Sequence, residues 1–109
     1  MQVSIPKTPI DTKAVTKMLP LIYPSHRPAL ENISPALQSL LTYLAKTPAN
    51  DLVTTLPHSQ GKWQVEKVYV LDDCVAAQMG DGHYLETIFF VQALNDWRIV
   101  GRVRPQDHK

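Results

Sequence analysis

The hydrophobic positions of this chain change period once, near Trp63, and the change divides it into a helical first half and a strand-forming second half. The clearest helical pattern runs from Ser34 to Lys46. Leu37, Leu40, Leu41 and Leu44 recur at three- and four-residue spacing, so they share one face of a helix. Ser34 reads as the N-cap, and Pro35 as the first helical residue, where a missing amide costs nothing. Lys46 suits the negative end of the helix dipole, and Thr47-Pro48 supplies the stop. Leu30 and Ile33 extend the same spacing backwards. An earlier, shorter helix is expected after Asp11 as N-cap, with Val15, Met18, Leu19 and Ile22 on one face, stopping or kinking near Leu19 because of Pro20. A third is expected from about Asn50, as its cap, to Leu56. His58 to Lys62 reads as a loop.

From Trp63 onward the pattern alternates. Trp63 to Leu71 predicts a first strand, and Asp72-Asp73 a turn. Cys74 to Met79 predicts a second strand, and Gly80-Asp81-Gly82 a second turn. His83 to Leu94 is long enough for a central strand, with Leu85, Thr87, Phe89, Val91 and Ala93 expected on its inward face. Asn95-Asp96 closes a two-residue hairpin. In the last strand Trp97, Ile99, Gly101 and Val103 alternate with Arg98, Val100, Arg102 and Arg104, which predicts a buried row and a wet row.

Proline placement supports the division. Of nine prolines, all but Pro105 precede Trp63. Proline removes a backbone donor and restricts its predecessor, so the first half is cut into short segments while Trp63 to Arg104 is free to pair as a sheet. The expected fold is therefore α+β: short N-terminal helices on a curved, four-stranded antiparallel meander. At 109 residues the chain is expected to be a single domain, with 1–10 flexible, 11–57 helical, 63–104 forming the meander and 105–109 a tail.

Composition narrows the function classes. Eleven basic and ten acidic residues give a formal charge of +1, so there is no electrostatic case for a nucleic-acid partner. The same near-neutrality gives little self-repulsion, and a homodimer is the expected state. The sole cysteine, Cys74, has no thiol partner for a disulfide or zinc site. The histidines His26, His58, His83 and His108 show no metal-ligand spacing. No metal or cofactor is expected. The start of the chain lacks the basic-then-apolar pattern of a signal peptide, and no apolar run approaches membrane-spanning length, so the expectation is a cytoplasmic protein with no membrane partner.

Two runs carry a resemblance. Val65 to Met79 forms a strand, acidic turn and strand, and His83 to Val91 followed by Asn95-Asp96-Trp97-Arg98-Ile99-Val100 forms the closing hairpin. Together they resemble the end of the nuclear transport factor 2-like superfamily, with its SnoaL-like and lumazine-binding branches. The resemblance covers about 45 residues and rests most on Asn95 to Val100. It implies a bent sheet wrapped around helices, enclosing a conical pocket for a small apolar ligand. If the pocket is catalytic, a lyase or isomerase chemistry is implied. This chain is shorter than such proteins between its helices and its meander. A plainer helix-on-meander form of the cystatin-like kind fits the same pattern, and so does a non-catalytic dimerisation or interaction module using the open sheet face.

Five residues stand out as candidate ligand contacts: His83, Cys74, Tyr84, Trp97 and Phe89. His83, on the expected face of Leu85 and Phe89, sits where a pocket mouth would be, and a histidine there could act as a base near neutral pH; the plainer account is an exposed turn-end histidine. Tyr84 and Glu86 fall on the opposite face. Trp97 reads first as a core anchor, because aromatic side chains bury large areas. Cys74 reads first as a small buried hydrophobe. Asp72-Asp73 and Asp81 read as solvent-facing turn residues. Arg98, Arg102 and Arg104 share one expected strand face, which could hold an anion but is more simply a solvated face that discourages aggregation.

Overall fold

A computed structural model of the chain describes residues 3–5, 8–23, 33–53, 62–82, 84–93 and 96–103. The helical half begins with α1, Thr12–Met18, capped by Asp11, whose side chain accepts from the Lys13 and Ala14 amides. Leu19–Leu21, with Pro20 inside, tightens into one 3₁₀ turn, so the helix ends where the proline requires. The second helix, α2, spans Pro35–Lys46, and Ser34 Oγ accepts from the Leu37 amide at 3.2 Å. The two helices are joined through Asp11. Its amide donates to Thr42 Oγ1 at 3.2 Å, and its carboxylate pairs with Lys46 Nζ at 3.0 Å. A single turn, α3, follows at Ala49–Leu52; Pro48, not Asn50, occupies its cap position. Leu56, the expected end of that helix, lies outside the described residues.

The sheet differs from the expected meander in its edges. The four expected strands form β3 (Gln64–Val70), β4 (Val75–Gly80), β5 (Leu85–Ala93) and β6 (Asp96–Val103), each antiparallel to the next. Two further strands, β1 (Val3–Ser4) and β2 (Ile22–Tyr23), extend it to six in the order β1-β6-β5-β4-β3-β2. The first pairs antiparallel with β6 and the second parallel with β3, so the sheet is mixed. The segment expected to be flexible thus contributes an edge strand, and Ile5 beside it is buried. Two-residue strands leave no alternation to read, which is why sequence pattern missed them.

Which face meets the helices is the larger correction. In β5 the buried side chains are Glu86, Ile88 and Phe90, while Leu85 is 50% exposed. The row Leu85, Thr87, Phe89, Val91 and Ala93, expected inward, lies on the side away from the helices. Ladder partners carry the core face across the sheet: Phe90 opposes Val75 and Ile99, Ile88 opposes Ala77, and Ala77 opposes Val68. Onto this face pack Leu40, Leu41 and Leu44 of α2 and Val15 and Met18 of α1. Each fully buried leucine contributes roughly 1.5–3 kcal/mol.

A bulge corrects β6 as well. Phe89 pairs with Gly101 but Phe90 pairs with Ile99, leaving Val100 as an extra residue. One inserted residue reverses the alternation beyond it. Trp97 and Ile99 therefore face the helices, and so does Arg102 opposite Ile88, whereas Arg98 stays on the outer face with Val91. Arg98 and Arg102 do not share a face, and Arg104 lies outside the described residues.

Candidate functional site

At one end of the sheet the β3–β4 turn approaches the start of α2. Ser34 and Leu37 form the helix wall of a cleft of about 400 Å³; Val70, Val75 and Trp97 give it an apolar floor; Asp72, Asp73 and Cys74 form its rim. Leu71 donates its amide to the Cys74 carbonyl at 2.9 Å, which closes the turn and lifts both aspartates into water. Trp97 is fixed by its indole N–H, which donates to the Ala36 carbonyl at 2.9 Å. It is a core anchor whose edge also lines the cleft. Gln92 completes the lining and is shared with a shallower, mostly apolar recess of about 660 Å³ bounded by Ile10, Pro35, Ala36 and Ser39.

The electrostatics of this cleft favour a donor. The start of α2 carries about half a positive charge from its aligned peptide dipoles. Two exposed carboxylates on the rim outweigh it, so a cationic or hydrogen-bond-donating group is preferred over an anion.

The sequence candidates separate. Cys74 and Trp97 come together on this cleft; Cys74 is half-buried and precedes β4, and is not the buried strand residue expected. Tyr84 lies at the opposite end of the sheet, where its amide donates to Asp81 Oδ1 at 2.7 Å. Asp81 is a turn residue as expected, but buried, and Gly82 beside it adopts φ 99°, a conformation that favours glycine. Phe89 is on the outer face of the sheet. His83 lies outside the described residues, as do the other histidines. Ser34 and Gln92 were not singled out by sequence. Gln92 carried a usable signal: it is a polar residue in the row of Ile88 and Phe90, which the reversed face assignment hid.

A second polar group of residues lies under the helices. Arg102 Nη1 donates to Glu86 Oε2 at 3.2 Å and to the Leu52 carbonyl at 2.6 Å. The Glu86 side chain is fully buried, and the Arg102 side chain is 21% exposed. Burial pushes the Tyr43 phenol up from its ordinary value, opposed by a hydrogen bond with Thr47 and by the nearby Arg102 charge. Here the guanidinium fastens the end of α3 to the sheet, a packing role. Among the described residues no cluster of histidine, cysteine or acidic side chains could hold a metal ion, and no helix is long and apolar enough to cross a membrane.

No family model, no curated protein and no solved structure matches this chain.

Proposed function

We propose that this protein binds a small organic molecule with an apolar body in the cleft between α2 and the β3–β4 turn. The carrying observation is that helix and sheet both wall this cleft, with Cys74 and Trp97 brought together on it from distant parts of the sequence. Its volume, about 400 Å³, falls within the usual range of ligand sites, roughly 300–1,000 Å³. The lining exposes more polar than apolar surface: Val70, Val75 and Trp97 offer a small apolar floor, and Asp72 and Asp73 at the rim orient a donor group. The likeness of the last four strands to the nuclear transport factor 2-like superfamily supports a ligand-binding reading. The place differs from what that likeness implies, since Leu40, Leu41 and Phe90 fill the space between helices and sheet and the vacant volume lies at its end.

A thermal-shift screen of small apolar and heteroaromatic compounds tests this, read together with alkylation of Cys74. As the sole cysteine, it reports on the cleft alone. Ligands that raise the melting temperature are expected to slow alkylation, and amine-bearing members of a series to do so more strongly. Asp72→Asn with Asp73→Asn should remove that preference. Hits that leave the alkylation rate unchanged would place binding elsewhere and defeat the proposal.

A further inference from the structure

The cleft and the recess beside it meet at Gln92, which lines both. The first turns of α2 wall them in common: Ser34 and Leu37 on the cleft, Pro35, Ala36 and Ser39 on the recess. Gln92 pairs with Trp97 across the β5–β6 ladder and is exposed, so its carboxamide can donate and accept where the two meet. The far wall of the recess comes from the start of the chain, at Thr8, Pro9 and Ile10. Ser39 Oγ fastens that segment to α2 by donating to the Thr8 carbonyl at 2.8 Å. A second tie holds the same stretch to β6, where the Ile5 amide donates to the Trp97 carbonyl at 3.1 Å. The recess is therefore bounded by a tethered segment.

Its chemistry differs from that of the cleft. Ile10 is 44% exposed, and Pro9 and Pro35 are exposed beside it, so the recess is an apolar trough that its own chain leaves in water. Of the described residues that line either part, only Asp72 and Asp73 are charged, and both stand on the cleft rim. Two carboxylates at one end and an uncharged apolar trough at the other match a molecule built the same way, cationic at one end and hydrocarbon at the other. An anion meets repulsion at the rim, a wholly apolar molecule leaves the rim unused, and a small amine leaves the trough empty. The length suits as well: from Ser34 to Ser39 the helix rises about 7–8 Å, room for several methylenes beyond the head group.

We propose that the ligand is a cationic amphiphile, a primary amine on a hydrocarbon chain, with its ammonium group at the Asp72–Asp73 rim and its chain passing Gln92 to lie against Pro35, Ala36 and Ile10. This rests on the cleft being the ligand site, and adds the class of ligand and the place of most of its apolar body.

Isothermal titration of the full chain with straight-chain primary amines from butylamine to octylamine, read with the rate of Cys74 alkylation in their presence, tests this. Each added methylene should tighten binding about two- to fourfold until the chain passes Ile10. Every amine that binds should slow alkylation. Ile10→Ser trims an exposed side chain and should flatten the dependence on chain length while leaving butylamine binding unchanged. Asp72→Asn with Asp73→Asn should do the converse: the length dependence stays, and the advantage of octylamine over octanol falls about 3- to 10-fold. Circular dichroism confirms that each variant folds. Butylamine binding as tightly as octylamine keeps the cleft as the site and overturns the amphiphile. A length dependence unmoved by Ile10→Ser, or one without protection of Cys74, places the chain elsewhere and overturns it too. If no amine binds but uncharged compounds slow alkylation, the ligand class falls and the cleft stands; if nothing slows alkylation, both fall.

Discussion

Arg102 of β6 reaches Glu86 of β5 at 3.2 Å on the face of the sheet that the helices cover, and the same nitrogen holds the Leu52 carbonyl at the end of α3. Neither charge would be there alone. A buried carboxylate is costly unless paired, and a carbonyl at a helix end needs a donor that the helix cannot supply.

Removing one member is therefore worse than removing both. Arg102→Met takes the guanidinium away from the buried Glu86 and should lower the unfolding free energy by about 3 kcal/mol, the low end for buried pairs because the arginine is partly exposed. Glu86→Leu combined with Arg102→Met should fall within about 1–1.5 kcal/mol of the native chain, the residue being the lost bond to Leu52. Urea unfolding of the two single variants and the double gives the coupling directly. Additive losses would mean that the pair does not act as a unit.

Acid stability should depend on Asp11. The hydrogen bond from Lys46 holds its carboxyl below the usual carboxylate range, helped by the Ala14 and Lys13 amides. A depressed folded-state pKa contributes stability that is present above the unfolded value and is lost as pH falls through the folded one. Asp11→Asn keeps a capping oxygen but cannot ionise. Its melting temperature should fall less steeply than the native one on acidification, with the gap between the curves narrowed by salt because the pair is exposed. Parallel curves would remove Asp11 from the acid limb.

The alkaline limb should report on Tyr43. Burial raises its pKa above the ordinary 10.0. A raised value contributes stability that is fully present below the unfolded pKa and is lost as pH rises through the folded one, so the native chain should weaken progressively between the two. Tyr43→Phe has no proton to lose. It should be less sensitive in the same range, and an unchanged alkaline slope would show that another group controls it.

Helices were readable because their ends are chemical: Asp11, Ser34-Pro35 and Thr47-Pro48 stop or start a helix wherever they occur. The four long strands were readable by the absence of proline and by their turns. Face was not readable, for a reason specific to β5. Its outer row, with Leu85, Phe89 and Val91, is more apolar than its inner row, which holds Glu86 and Gln92. Alternation says that two faces exist and cannot say which one the helices cover. The misleading residue, Glu86, meets Arg102 inside because Val100 turns that arginine inward. Cys74 and Trp97 were each visible in sequence, but their meeting on one cleft depends on the β3–β4 turn reaching the start of α2, which no local pattern encodes.

Val100 therefore controls more than its own exposed side chain. Deleting it restores strict alternation along β6, so one half of the strand must turn over. Turning Trp97 and Ile99 outward would expose two large apolar side chains at roughly 2–3 kcal/mol each, besides the indole bond to Ala36. Turning Arg102 outward takes the guanidinium away from Glu86, for about 3 kcal/mol. The second loss is smaller, so the deletion variant should keep its tryptophan packed, with near-native indole fluorescence, and lose the Glu86–Arg102 bond. The consequence is a change in what one substitution does. Glu86→Leu should destabilise the native chain, where it takes the carboxylate from Arg102, and destabilise the Val100 deletion less or stabilise it, where it removes a buried carboxylate that has lost the arginine. Unfolding free energies of the four chains in this cycle decide the matter, and Glu86→Leu costing as much in the deletion as in the native chain would show that the bulge does not hold the pair together.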